Sequence, residues 1–404
     1  MPVRFKNLFK VMIMLKKFCK ASTAYFTVFQ SVYWGANCLC FSYMVPMLAS
    51  KGYNEYQIGI LMMINTGGRL FQLLWGVLCN GIFNIKYVFV TLIAMSIVSA
   101  ICLTESSTFL LSAFFMLLLS ATLYAPSNLI DAWSVKLINQ GERINYGVSR
   151  GSASASYAAV ALVYGIAVGK LGMGIIAYTY SIAAVILIAV ASFSKVPQKE
   201  HPGEKISTME VIKILIRNRR YSFFIIAAFI AFTTFGASIT FFPILLDSFN
   251  IGNAYLGTAF SIMTFSEALM MAVFFRKIKK FGDEYLLIFA IAMMALKSIL
   301  FAIAPGAIFA ITAQILQALG TGIFFPAAVR YISTLVDDRC TIAAQTIYGA
   351  ASVGLGAMAG NYFGGMIAGH IGVRPMLLIS GIIALTAIIV FAGGIKFRLH
   401  AKSL

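Results

Sequence analysis

Apolar stretches of membrane-spanning length follow one another along almost the whole chain, separated by short groups of polar residues. A helix needs about 20 apolar residues to cross a hydrocarbon core about 30 Å thick. Cutting the chain at its charged clusters and at its glycine and proline turns yields twelve such stretches. The predicted spans, numbered 1 to 12, cover residues 23–49, 56–80, 86–104, 108–136, 146–169, 171–194, 221–247, 252–275, 285–304, 307–335, 341–368 and 373–395.

The longest polar stretch of the chain lies at its midpoint. It covers residues 195–220 and reads KVPQKEHPGEKISTMEVIKILIRNRR, with six predicted spans on each side. We interpret it as a central linker, so the predicted fold is an all-α membrane protein with twelve transmembrane helices in two six-helix bundles. The predicted parts are a basic lead-in (1–20), an N-terminal bundle (21–194), the linker (195–220), a C-terminal bundle (221–396) and a tail (397–404).

The two halves resemble each other weakly. Segments rich in small residues begin at Gly151 in span 5 and at Gly349 in span 11, and the loops after spans 2 and 8 correspond at a similar offset. Small residues are common in any membrane bundle, because they let helices approach closely in lipid. The shared offset nevertheless favours two repeats around a midplane cavity, which is the architecture of an alternating-access transporter.

Composition and charge exclude a water-soluble protein and indicate an orientation. Of the 404 residues 60% are hydrophobic and 11% charged, whereas soluble domains are about 25% charged. The net charge of +18 comes from lysine and arginine in the gaps between spans, a pattern that marks cytoplasmic loops rather than a nucleic-acid partner. We therefore expect a cytoplasmic membrane protein with both termini in the cytoplasm. The basic groups are the lead-in, the linker, Arg276, Lys277, Lys279, Lys280, Lys396, Arg398 and Lys402, against Lys51, Lys170 and Arg374 in the opposite loops.

Five ionisable residues fall inside predicted spans. A charge at the centre of a membrane helix costs at least about 2.5 kcal/mol on insertion scales, so each one is a functional candidate. Asp131 in span 4 and Arg150 in span 5 lie at matching depth, so we expect an ion pair that a substrate or a proton breaks. The alternative is a purely structural pair. The five residues are Arg69, Asp131, Arg150, Glu267 and Lys297.

The other three charges allow more than one role. Glu267 is the candidate proton carrier, because a medium of low dielectric constant favours a neutral carboxyl group, and its alternative is a hydrogen bond to a neighbouring hydroxyl. Lys297 is a candidate gating residue, although its position in span 9 predicts a depth different from that of Glu267. Arg69 is expected to bind an anionic group of the substrate, to reach Asp131, or to extend toward the cytoplasm.

Polar and aromatic side chains within the spans suit a polar ring such as a sugar. Each aromatic residue of this set has helix packing as its alternative role. They are Gln30, Tyr33, Trp34, Asn37, Asn65, Trp133, Tyr157 and Asn361.

Other kinds of chemistry have little support. The six cysteines are scattered without the spacing of a metal site or a disulfide framework, so we expect no metal and no cofactor. No phosphate-binding loop is present, which points to an ion or solute gradient as the energy source. A membrane-embedded enzyme or a lipid scramblase is the rival from another class, but no catalytic set supports an enzyme.

The segments YAPSNLIDAW and YGVSRGSASASY resemble spans 4 and 5 of the major facilitator superfamily, in particular its branch of lactose permease and nucleoside symporters. The resemblance implies that Asp131 is the acid of span 4, Arg150 the arginine that contacts sugar, Ser154 the small residue beside the sugar and Tyr157 the stacking aromatic. SEALMMAVFF around Glu267, AMMALKSILF around Lys297 and AGNYFGGMIAGHIG in span 11 extend the resemblance over nearly the whole chain.

The sequence also departs from that branch. Gln317 and Gly320 stand where the permease has the histidine and glutamate of its proton site, so that site does not carry over. The loop GVLCNGIFNIK has Asn80 in place of the usual acid, which weakens the gating contact of the superfamily.

These patterns predict a proton-coupled symporter that carries a sugar, glycoside or nucleoside inward as a monomer. Asp131, Arg150, Ser154, Tyr157, Asn37, Trp34 and Arg69 are the candidate substrate-binding residues, and Glu267, Lys297 and Asp131 are the candidates for proton coupling. An exporter of drugs or aromatic compounds on the same fold is the alternative.

Overall fold

The computed structural model describes residues 22–72, 75, 84–197, 215–252 and 254–401. The basic lead-in, most of the central linker, Asn80 and the last three residues lie outside these ranges. Every regular element within them is a helix, as the apolar pattern predicts.

The helices follow the order of the predicted spans, and we number them α1 to α12 accordingly. Among the described residues, nine helices are long and apolar enough to cross a membrane, while α1, α2 and α11 are interrupted or lead out of the described ranges. The bounds are α1 Thr23–Phe41 with the extension Met44–Ser50, α2 Glu55–Gly67, α3 Ile85–Glu105, α4 Phe109–Leu123 and Ala125–Asn139, α5 Tyr146–Leu171, α6 Ile175–Phe193, α7 Arg219–Asp247, α8 Ala254–Leu269, α9 Asp283–Ala302, α10 Ala307–Ala313, Leu316–Leu319 and Thr321–Leu335, α11 Asp338–Gly349 and Ala357–Ile371, and α12 Val373–Ala401.

Short polar side chains begin several helices. The side chains of Asn54, Thr108, Asn145 and Asn218 each accept a hydrogen bond from a backbone N–H in the first turn that follows. Such caps satisfy donors that a helix leaves unpaired at its start. They therefore mark where α2, α4, α5 and α7 begin.

Several helices that the apolar pattern predicts as continuous are interrupted. The interruptions in α1 at Ser42–Tyr43 and in α4 at Tyr124 lie just before Pro46 and Pro126. A proline lacks the N–H for the helical hydrogen bond and its ring clashes with the carbonyl group four residues earlier. The chain therefore bends near the middle of both helices.

Smaller irregularities occur in four further helices. Helix α2 changes to a 3-10 turn at Gly68–Phe71, and α10 breaks at Gly320. Helices α8 and α11 contain π-helical segments at Met270–Phe274 and Ala350–Gly356. π-Helical segments are frequent at functional sites, so we expect a functional site in the interior of the protein near these two segments.

Glycines allow the N-terminal bundle to touch the C-terminal bundle closely. We call the side that holds Thr23 and the loop 140–145 the terminus side, because Asn145 donates its backbone N–H to the Thr23 hydroxyl at 2.8 Å, and the side with the loop 51–54 the far side. In the far half, a Cβ atom on Gly59 in α2 would lie 2.7 Å from the Cα of Gly365 in α11. A Cβ atom on Gly257 in α8 would lie 2.2 Å from the carbonyl oxygen of Ala161 in α5. Only glycine permits these two contacts.

Candidate functional site

Helices α4 and α5 bring Asp131 and Arg150 together inside the N-terminal bundle. The Arg150 Nε atom lies 3.7 Å from an Asp131 carboxylate oxygen, and both side chains are partly exposed. The Gln30 amide donates a hydrogen bond of 2.7 Å to the other oxygen of Asp131. Tyr146 is a further hydrogen-bond partner of both members of the pair. Because both side chains are partly exposed, a solute with hydroxyl groups could compete for these partners.

One face of α1 runs along this pair. Gln30, Trp34, Asn37 and Phe41 are spaced at i, i+4, i+7 and i+11, which places them in one row on a helix. The Trp34 ring lies 4.9 Å from the guanidinium carbon of Arg150. Asn37 is 3% exposed and its amide nitrogen is buried without a hydrogen-bond partner. The row thus offers an aromatic face and an unused donor beside the charged pair.

Two residues predicted on the Arg150 face of α5 differ in exposure. Ser154 is partly exposed, whereas Tyr157 is only 8% exposed. The Tyr157 hydroxyl is hydrogen-bonded to the Ser42 hydroxyl at 2.8 Å. The aromatic ring that lies against Arg150 is therefore that of Trp34, and Tyr157 lies deeper, at the interruption of α1.

The C-terminal bundle contains a chain of three polar side chains. The Lys297 ammonium group donates a hydrogen bond of 2.6 Å to the side-chain oxygen of Gln317. The side-chain nitrogen of Gln317 donates in turn to a Glu267 carboxylate oxygen at 3.2 Å. The same nitrogen lies 2.6 Å from the Thr321 hydroxyl. Lys297 and Glu267 were expected at different depths, but Gln317 connects them because α10 passes between α8 and α9.

This chain contains buried charge. Lys297 is 5% exposed, and its ammonium group lies 5.3 Å from the centre of the Phe301 ring. A buried charge is tolerated when it is paired and hydrogen-bonded. Since an amide group separates the acid from the base, neither charge is neutralised by direct contact, and the stability of the arrangement depends on Gln317.

Arg69 lies against aromatic rings and not against Asp131. Its guanidinium carbon lies 4.2 Å from the centre of the Tyr124 ring and 5.8 Å from that of Phe41. Asp131 is paired instead with Arg150. The expectation of an Arg69–Asp131 contact is therefore wrong: Arg69 lies against the Tyr124 ring at the interruption of α4.

Two other polar candidates have structural roles. Trp133 is fully buried, packs against Phe29 and Phe89, and donates its indole N–H to the carbonyl oxygen of Lys195. Asn361 in α11 donates hydrogen bonds of 2.9 Å to the Met62 carbonyl oxygen and to the Thr66 hydroxyl.

Thr240 in α7 donates a further hydrogen bond of 2.8 Å to the Asn361 side-chain oxygen. Asn361 therefore links the two bundles through α2 and α7 with its hydrogen-bonding groups already in use.

A cavity of about 20 Å³ lies between the bundles next to these residues. This volume is close to that of one water molecule, so this cavity does not hold a solute the size of a sugar. The lining side chains are those of Phe41, Ser42, Val45, Met62, Ile239, Thr240, Pro243 and Phe260.

Some contacting residues were not singled out from the sequence as candidates. Tyr124 and Phe41 lie against Arg69, and Thr321 completes the Gln317 chain. The proline two residues after Tyr124 is the signal that could have indicated an irregular helix there. Nothing in the sequence distinguishes Phe41 from the other apolar residues of span 1.

Comparisons with known proteins place this arrangement in a family. The MFS_1 like family matches residues 20–379. The maltose permease of Geobacillus stearothermophilus is 26% identical over 250 residues, which cover 62% of this chain and 63% of that protein. The uncharacterized transporter YwbF of Bacillus subtilis (strain 168) is 25% identical over 202 residues, half of each protein. The chain thus spans between half and two thirds of the length of these relatives.

Solved structures share the fold. The nucleoside transporter NupG superposes with a TM-score of 0.81 at 15% identity, covering 93% of this chain and 99% of that one. The POT family transporter PepTSo superposes with a TM-score of 0.73 at 10% identity, covering 94% of this chain and 98% of that one. With the family match over most of the chain, the chain belongs to the MFS_1 like family, and it shares the fold of these solved transporters.

Proposed function

We propose that this transporter carries a small polar solute, such as a sugar, a glycoside or a nucleoside, into the cell together with a proton. A maltose permease among the relatives and a nucleoside transporter among the structures of the same fold support this class of solute. The basic residues of the terminus side support the placement of that side in the cytoplasm, with the protein in the cytoplasmic membrane. The proposed transporter acts as a monomer. The glycine contacts of the far half then close the outer end.

The chain Glu267–Gln317–Lys297 is the observation that carries the proton-coupling part of the proposal. As a carboxylate, Glu267 accepts the hydrogen bond of the Gln317 amide nitrogen. As a carboxylic acid it carries a donor of its own. Its carbonyl oxygen can still accept from Gln317, but the new O–H needs an acceptor of its own, and Lys297 loses the negative charge beyond the amide. Binding one proton at Glu267 therefore changes the packing of α8, α9 and α10 together.

The pair Asp131–Arg150 forms the substrate-binding part. Sugar and nucleoside hydroxyl groups both donate and accept hydrogen bonds, so they can replace Gln30 and Arg150 at Asp131. The Trp34 ring offers a stacking surface, and Asn37 and Ser154 offer further polar contacts along α1 and α5. Tyr157 supports the site through Ser42. Asp131 is also a candidate for proton coupling, because a solute that displaces Arg150 leaves the carboxylate without its ion-pair partner.

Uptake into vesicles with an imposed inward proton gradient tests the proposal. The panel is labelled maltose, lactose and uridine, and the proteins are the wild type, Glu267→Gln and Glu105→Gln. Glu105 is an exposed acid at the end of α3 and serves as the control. We expect gradient-driven accumulation of at least one compound by the wild type and the control, and only exchange by Glu267→Gln.

Two results contradict the proposal in different ways. Accumulation by Glu267→Gln like that of the wild type would remove the coupling role from Glu267. Failure of every compound to enter, together with proton-driven extrusion of aromatic dyes, would favour an exporter instead.

A further inference from the structure

Arg69 differs from the other interior charges in its partners. Arg150 lies beside Asp131, and Lys297 reaches Glu267 through Gln317, whereas no described carboxylate lies within ion-pair distance of Arg69. Its Nε atom is buried without a hydrogen-bond partner. An arginine does not lose its proton in a protein, and ring faces compensate its charge only partly. This position therefore keeps a positive charge that is not paired within the described protein.

Two helices are interrupted at this point. Helix α2 becomes a 3-10 turn at Gly68–Phe71, and α4 is interrupted at Tyr124. The helices touch there, since a Cβ atom on Gly68 would lie 1.8 Å from the Ser120 hydroxyl oxygen. Discontinuous membrane helices commonly form the ligand sites of transporters. The backbone thus holds Arg69 at a place suited to binding a solute.

Unused hydrogen-bonding atoms surround the same point. Asn65 precedes Arg69 by four residues, one turn of α2, and donates to the Tyr124 hydroxyl at 3.3 Å. The Asn65 side-chain oxygen is buried without a partner. The unused donor on Arg69 and the unused acceptor on Asn65 therefore both belong to residues that contact Tyr124.

Arg69 is also close to the boundary between the bundles. The Phe41 ring that faces its guanidinium group lines the cavity between the bundles. Phe41 thus belongs both to the cavity lining and to the surroundings of Arg69. The site is thus adjacent to the path that an alternating-access transporter opens.

We propose that Arg69, beside the Tyr124 ring, binds a carboxylate of the transported solute, and that Asn65 accepts a hydrogen bond from a neighbouring hydroxyl group of the solute. The guanidinium group binds the carboxylate, and a hydroxyl group next to it donates to the Asn65 oxygen. The solute is then a sugar acid, of the aldonic or uronic class, in preference to the neutral sugar. This inference rests on the proposed function, because it takes the uptake of sugar-like solutes as given.

Matched pairs of solutes test the inference with the full chain in proteoliposomes. The pairs are labelled glucose and gluconate, maltose and maltobionate, and methyl glucoside and methyl glucuronide. We expect the acid of at least one pair to show a KM about tenfold or more below that of its neutral partner, as a charged hydrogen bond of typical strength gives. Arg69→Gln should remove this preference, and Arg69→Lys should weaken it, because lysine keeps the charge without the planar fork.

An arginine outside the site provides the control. The Arg374 guanidinium group also lies over an aromatic ring, 5.0 Å from the centre of Phe249 on the far side, and Arg374→Gln should keep the preference for the acid. Thermal unfolding in detergent identifies a variant that fails to fold. If Arg69→Gln is such a variant, a reduced preference for the acid in Arg69→Lys supports the inference, and an unchanged preference in Arg69→Lys overturns it.

The remaining outcomes separate this inference from the proposed function. Equal KM values within every pair, or a lower KM for the neutral member, overturn the anionic site and leave sugar uptake standing. Failure of every member of every pair to enter overturns both.

Discussion

Gln317 is the residue on which the buried charges of the C-terminal bundle depend. Gln317→Leu removes the acceptor of Lys297 and the donor to Glu267, and an unsatisfied buried polar group costs about 1–3 kcal/mol, more if it is charged. We expect a lower melting temperature in detergent and loss of proton-driven uptake.

Gln314→Leu is the matched control for this change. Gln314 lies three residues earlier on the same helix, is 1% exposed, and has a buried side-chain oxygen without a partner. Replacing it with an apolar residue of similar size should leave the melting temperature unchanged or raise it. Equal destabilisation by both substitutions would contradict the special role of Gln317.

Trp34 is predicted to contribute to affinity through its ring. Phenylalanine holds the Arg150 guanidinium group less strongly than tryptophan does, and it offers the solute a smaller stacking surface. Trp34→Phe should therefore raise the KM for the solute by about two- to fivefold. Trp133→Phe should lower the melting temperature without this change in KM, because Trp133 is a core residue. Transport kinetics and thermal unfolding of both variants check the difference.

At the scale of the helix, Asn361 joins α11 to α2 and α7. Asn361→Leu removes three hydrogen bonds, each contributing about 1 kcal/mol net, so the closed far half should lose stability. Thr240→Val removes one of the three and should have about a third of the effect. Hydrogen exchange of the backbone in α2 and α11 measures it, and equal exchange in both variants would contradict the additive role of these bonds.

The sequence predicts the helices better than their irregularities. Apolar length and charged gaps place the spans to within a few residues, because the bilayer thickness sets the length of a helix. The interruptions before Pro46 and Pro126 were not predicted, since a membrane helix often tolerates proline. Pro243 lies within the continuous helix α7, so proline alone does not determine where a helix breaks.

The sequence predicts those contacts of the candidate site that depend only on the depth of each residue in the membrane. Asp131 and Arg150 meet because both lie a similar distance from the same short loop. The rotation of each helix about its axis is not visible in a single sequence, so the bridge from Glu267 through Gln317 to Lys297, the burial of Tyr157 and the contact of Arg69 with Tyr124 required the structure.

At the scale of the whole molecule, we expect the glycine contacts of the far half to control how the bundles close, because they allow the closest approach of α2 to α11 and of α5 to α8. Gly257→Leu places a side chain where a Cβ atom already lies 2.2 Å from a backbone oxygen, so it should shift the population toward a state open on the far side. Gly174→Leu, with no atom within 4 Å of its Cβ position, is the control.

Pulsed electron paramagnetic resonance checks this shift. Spin labels at Leu171→Cys and Ile308→Cys, both strongly exposed, report the separation of the bundles on the far side when the native cysteines are replaced. A longer distance in Gly257→Leu alone is expected, and an unchanged distance would mean that the contact does not control closure.

The amide between Glu267 and Lys297 has one more consequence, which concerns leakage. A histidine at position 317 could accept a proton from one neighbour and release it to the other, because an imidazole ring titrates near neutral pH. An amide side chain transmits a hydrogen bond but does not pass a proton on in this way. In the proposed symport, Gln317 therefore interrupts proton transfer between Glu267 and Lys297. We expect a proton bound at Glu267 to leave only by the route that the solute opens, without dissipating the membrane potential between transport cycles.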